Sequence, residues 1–172
     1  MNAFVAVMAL AIAAAFLSMP IVRNRYGRGA MVQAQSELAR QGVRTTALSE
    51  HGMRFDASGH ESAAPISIAA ILIALAGANL AGADWVRPVN WAVLILVLLG
   101  NAVIVYSNLT AVRSVQAAFE RKGDPELARI DVPALLKAAE AGFPAWTWTL
   151  QNVRNVVVFG AALLGLVVMA VS

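Results

Sequence analysis

Apolar residues in this chain gather into four long runs rather than short periodic patches. The runs are Ala3–Val22, Pro65–Ala83, Val89–Ser107 and Val153–Val171. A helix of about 20 residues is ~30 Å long, which matches the hydrocarbon core of a bilayer. The pattern predicts an all-α integral membrane protein, a four-helix bundle with transmembrane helices at 3–22, 65–83, 89–107 and 153–171. Little chain remains for a separate soluble domain, so residues 1–172 read as a single membrane domain with polar segments at 23–64 and 108–152. Asp84-Trp85-Val86-Arg87-Pro88 is too short a link for anything but antiparallel neighbours. Pro65 suits the first turn of its helix, and Pro20 should distort the last turn of the first.

The polar residues orient these runs. Arg23, Arg25, Arg28, Arg40, Arg44 and Arg54 follow the first, and Arg113, Arg121, Lys122, Arg129 and Lys137 follow the third, whereas the short hairpin carries only Arg87. Basic loops stay on the cytoplasmic side, so both long segments are expected there and both termini outside. Tyr26, Tyr106, Trp146 and Trp148 fall at the expected inner boundary, and Trp85 and Trp91 bracket the outer hairpin. A cleaved signal peptide would carry its positive charge before the apolar stretch; here the arginines come after it, so the first run is expected to be a retained anchor.

The polar segments contain weaker patterns. Met31, Ala34 and Leu38 share a helical face over Met31–Gln41, with Gly42 as a stop. Val43–Ala57 alternates loosely and predicts a small β-hairpin turning at His51-Gly52. Val112, Val115 and Phe119 extend the third membrane helix to about Arg121. Gly123-Asp124-Pro125 breaks it, and Asp131 with Pro133 starts another helix that Gly142 and Pro144 end. These short cytoplasmic amphipathic helices are expected on the inner membrane surface.

Composition sharpens the class. The chain has 172 residues, 59% hydrophobic and 13% charged, too few charges to coat a soluble globule. The formal net charge of +3 is accounted for by cytoplasmic loops, and no basic cluster interleaved with aromatics points to nucleic acid. There is no cysteine, which excludes disulfides, thiolate metal sites and a cysteine nucleophile. Abundant Ala and an excess of Arg over Lys suggest a GC-rich bacterial genome, so the membrane expected for the four spans is the bacterial inner (plasma) membrane.

Candidate chemistry is sparse. No ionisable residue stands at the centre of any run, which argues against an ion-coupled transporter or a haem or di-iron enzyme built from this chain alone. Asn101 lies near the middle of the third run, where an amide needs a partner, and an interhelical hydrogen bond is expected. Asn79 lies nearer the outer end and should not meet it. Asn101, Asn108 and Arg113 on one helix and Gln151, Arg154 and Asn155 on another define a candidate cytoplasm-facing polar cleft for a lipid headgroup, an anionic ligand or a partner loop. The plainer reading has them interfacial, with Arg154 snorkelling to phosphates. The pairs Ala78/Gly82 and Ala161/Gly165 have the spacing of close helix packing. His51, Asp56, His60 and Glu61 match no zinc spacing, no serine stands in a nucleophile context, and no cofactor or metal is expected.

By elimination the sequence reads as a non-catalytic accessory or assembly subunit of a larger membrane complex. Its expected partners are the lipid bilayer and other membrane subunits or copies of itself. The rivals are a small oligomeric transporter or channel lined by Asn101, and a membrane enzyme that holds a lipophilic substrate with Arg113 or Arg154.

Overall fold

The computed structural model describes residues 2–55 and 59–171 and is helical throughout; among the described residues there is no strand. Seven α-helices follow in order: α1 Asn2–Arg40, α2 Ala47–Glu50, α3 Gly59–Leu80, α4 Val86–Leu109, α5 Ala111–Lys122, α6 Val132–Ala141 and α7 Trp146–Ala170, with a 3₁₀ turn at Leu127–Arg129. Four of these, α1, α3, α4 and α7, are long and apolar enough to cross a membrane.

The chain divides into two compact units. Residues 1–20, 59–105 and 148–172 form the first, and residues 21–58 and 106–147 form the second. Helix α1 contributes to both units.

The first unit is an apolar helical body. Val5, Ala9, Ile12 and Phe16 recur at steps of four, three and four along α1 and are all buried. Ala69, Leu72 and Ala76 supply the facing stripe of α3, and Val158, Ala161, Ala162 and Met169 that of α7. The inward stripe of α4 is Val86, Asn90, Leu94, Val97 and Asn101. A Cβ on Gly165 would lie 3.0 Å from the Leu94 side chain, so this glycine lets α7 approach α4. The Ala161/Gly165 pair is therefore used inside the chain. Leu96, Leu99, Val103, Val156 and Val167 point away from the core and are exposed, as lipid-facing residues are.

The second unit corrects three expectations. The helix at Met31–Gln41 is not separate, because α1 runs unbroken from Asn2 to Arg40 with Pro20 inside it. Gly27 and Gly29 are tolerated within the helix. The helix stops where Gly42 adopts φ +70°; its N–H donates to Ala39 O, and the Val43 N–H donates to Leu38 O.

The β-hairpin does not form. Over 43–55 the chain makes a turn, the one-turn helix α2 and a second turn at Gly52. Gly52, also at φ +70°, closes α2 as Gly42 closes α1, with the Met53 N–H donating to Leu48 O. Ala47 and Leu48 are buried in a core with Ala34, Leu38, Phe119, Leu127, Val132 and Leu135. Burying them outweighs the loose alternation that suggested strands.

α4 does not extend to Arg121 but ends at Leu109, and α5 begins after a break at Thr110. The Thr110 hydroxyl donates to Tyr106 O at 2.9 Å, the local bond by which Thr disturbs helices. Asp131 caps α6 as expected, accepting from the Ala134 N–H at 3.1 Å. The membrane helices also shift at their ends. α3 starts before Pro65 and stops at Leu80, while α7 starts at Trp146 rather than at 153.

Candidate functional site

The six candidate residues divide between the units. Asn108 and Arg113 belong to the second and are exposed. Asn101, Gln151, Arg154 and Asn155 belong to the first. Asn101 and Asn108 are seven apart on α4, yet Asn101 is buried and Asn108 is exposed.

Arg154 is the unusual one. It lies eight residues after Trp146, ~12 Å along the helix axis, on the stripe that continues through Val158 and Ala161. That stripe faces the core, and the side chain is only 6% exposed. Its guanidinium carbon sits 5.1 Å from the centroid of the Phe16 ring, a cation–π arrangement. One N–H donates to Asn155 Oδ1 at 3.1 Å. No carboxylate pairs with it among the described residues. An ionisable side chain buried in an apolar helical body is a candidate functional group.

Asn101 is fully buried, and neither Nδ2 nor Oδ1 has a hydrogen-bond partner among the described residues. The expected interhelical bond is made elsewhere. Asn79 and Asn90 exchange side-chain bonds, Asn90 Nδ2 donating to Asn79 Oδ1 at 3.0 Å and Asn79 Nδ2 to Asn90 Oδ1 at 3.3 Å. Asn79 Nδ2 also donates to Leu75 O at 2.7 Å. Asn90 is not among the candidates that the sequence offers because it stands near the start of its run. The signal was there: Asn90 and Asn101 are eleven residues apart, three helical turns, and so share a stripe.

Two of the cavities lined by described residues open on the first unit. One, about 300 Å³, lies at the α3–α4 hairpin end against Asn79, Asp84, Arg87, Asn90 and Asn2. Arg87 there donates to Met169 O at 2.9 Å, which satisfies a carbonyl at the end of α7. The other, about 170 Å³, is a nearly all-apolar cleft between Phe16 of α1, Ile68 and Ile71 of α3, and Val93, Leu96, Val97, Gly100 and Ile104 of α4.

In the second unit the ionisable groups tie its own segments together. Arg44 meets Glu50 at 3.2 Å, Asp124 at 2.9 Å and Glu126 at 3.4 Å. His51 Nε2 lies 3.2 Å from Asp124 Oδ2, and Lys122 Nζ donates to His51 O at 3.1 Å. Glu37 accepts from Arg40 and from Gln41, and Gln41 Oε1 in turn accepts the Asp131 N–H at 2.8 Å. The Arg40 and Gln41 hydrogen bonds hold the Glu37 carboxyl at about 2, well below its ordinary value. The Glu126 N–H, then His51 and Arg44, lower that of Asp124. Of the His51, Asp56, His60 and Glu61 group, His51 is engaged with Asp124, whereas Asp56 and the side chains of His60 and Glu61 lie outside the described residues.

Comparison with family models, with curated proteins and with solved structures finds no match for this chain. Its chemistry is therefore read from its own side chains.

Proposed function

We propose that this protein is a non-catalytic accessory subunit of a larger membrane assembly, anchored by four helices and docking partners through its second unit. The supporting observation is how that unit uses its polar groups. Arg44, His51, Asp124 and Glu126, and separately Glu37, Arg40, Gln41 and Asp131, bond to one another across segments distant in sequence. Groups so engaged hold a shape. Segments that began as two polar loops thus become one body with an apolar core of its own. The arginines that follow the first and third spans support a cytoplasmic side for this body and an outer side for both termini, by the positive-inside rule. A bacterial inner membrane fits the composition.

Photo-crosslinking in intact membranes tests this reading. A crosslinking residue at Glu120 or Lys137, both exposed on the second unit, should yield a discrete adduct with one other protein. Adducts with lipid alone, or none at either position, would count against an accessory role.

A further inference from the structure

Phe16 joins three features of the first unit that otherwise stand apart. Its ring carries the Arg154 guanidinium at 5.1 Å, and it also lines the apolar cleft. It shares that cleft with Val97, Gly100 and Ile104, which surround Asn101 on α4 at positions four before, one before and three after. Register agrees. Val5 and Asn90 meet at the hairpin-end cavity, and eleven residues further on, roughly 16 Å, α1 reaches Phe16 and α4 reaches Asn101. The buried cation, the buried unpartnered amide and the apolar cleft therefore lie at one level.

Each feature asks for the same kind of ligand. Arg154 has N–H groups and a positive charge with no carboxylate facing it among the described residues, so it calls for an anionic acceptor. Asn101 Nδ2 is a second donor without an acceptor. The cleft offers apolar walls and almost no polar surface. Its ~170 Å³ is below the usual range of small-molecule pockets, so it holds part of a chain and leaves the rest to the bilayer. We infer that Arg154, Asn101 and the Phe16 cleft form an intramembrane site for one anionic amphiphile, its carboxylate or phosphate head at Arg154 and the first part of its chain in the cleft. The site is independent of the accessory role, since an assembly subunit and a free-standing protein would hold the lipid alike.

The chemistry is shared by a membrane phospholipid, a free fatty acid and a soluble phosphate, and binding separates them. The full chain in mild detergent is titrated with phosphatidylglycerol, oleate, phosphatidylcholine and inorganic phosphate, and retained copies are read by native mass spectrometry. One copy of phosphatidylglycerol or oleate should persist under conditions that strip phosphatidylcholine, and the stronger of the two names the source. Arg154→Gln should weaken that copy at least about tenfold, the usual worth of a charge-assisted contact. Arg28→Gln, which removes an exposed charge from the second unit, should leave it unchanged. Gly100→Leu keeps the test valid if Arg154→Gln misfolds. A Cβ at Gly100 meets nothing within 4 Å, so the leucine side chain starts into open space in the cleft, and the retained copy should be lost while the thermal midpoint holds. Equal retention of phosphatidylcholine, equally tight inorganic phosphate, or undiminished binding in both Arg154→Gln and Gly100→Leu would overturn the assignment.

Discussion

Asn79 and Asn90 show what a polar residue costs and contributes in an apolar helical body. Each is nearly fully buried, and each amide answers the other. Removing one leaves its partner with unmet bonding capacity, whereas removing both leaves none. Asn79→Leu and Asn90→Leu should each destabilise the protein by about 1–2 kcal/mol, and the double variant by less than their sum. Unfolding in mild detergent measures this, and strict additivity would show that the pair is not coupled. Asn101 is the counter-case, an amide on the same stripe with no partner among the described residues. The sequence located Asn101 and Arg154 as candidates but not their surroundings. A hydropathy run says that a helix crosses, not which side of it faces inward. The inward stripe of α4 became readable only with α1 and α7 packed against it, and with it the place of Arg154 over the Phe16 ring.

At the scale of elements, long apolar helices were legible and short polar ones were not. Four runs of about 20 apolar residues leave the backbone one solution in a bilayer, and the four long helices follow. Their ends slid by several residues because capping, not hydropathy, sets them. Around 43–55 the pattern misled. Val43, Thr45 and Ala47 alternate, but Ala is a poor strand former and a good helix former, and Leu48 finds a core against Leu38 that no local pattern announces. Gly142 was legible as a helix stop, yet its backbone also lies so close to Gly29 and Ala30 that a Cβ would clash. The clamp that joins residue 41 to residue 131 makes a pH prediction. Glu37 titrates near 2 in the folded protein and at its ordinary 4.5 when unfolded. A lowered folded value means that its stabilisation is complete above 4.5 and disappears as pH falls toward 2. Asp124 shifts in the same direction. The thermal midpoint followed by circular dichroism should stay level from pH 7 to about 5 and then drop. Glu37→Gln should lower the midpoint at pH 7 and flatten the drop; an unaltered profile would remove Glu37 from the clamp.

Across the whole molecule, two kinds of body are made from one chain. The first unit spends its inward faces on apolar packing and leaves its outward faces to lipid. The second collects two polar segments around an apolar core and ties them with charge. The proposed accessory role requires that this second body dock other polypeptides. Stoichiometry after extraction from the native membrane tests that claim most directly. The protein would be released in native-lipid nanodiscs and its mass read intact. As an accessory subunit, it should emerge with other polypeptides in a fixed ratio that survives dilution. A lone chain, or only copies of itself, would contradict the role.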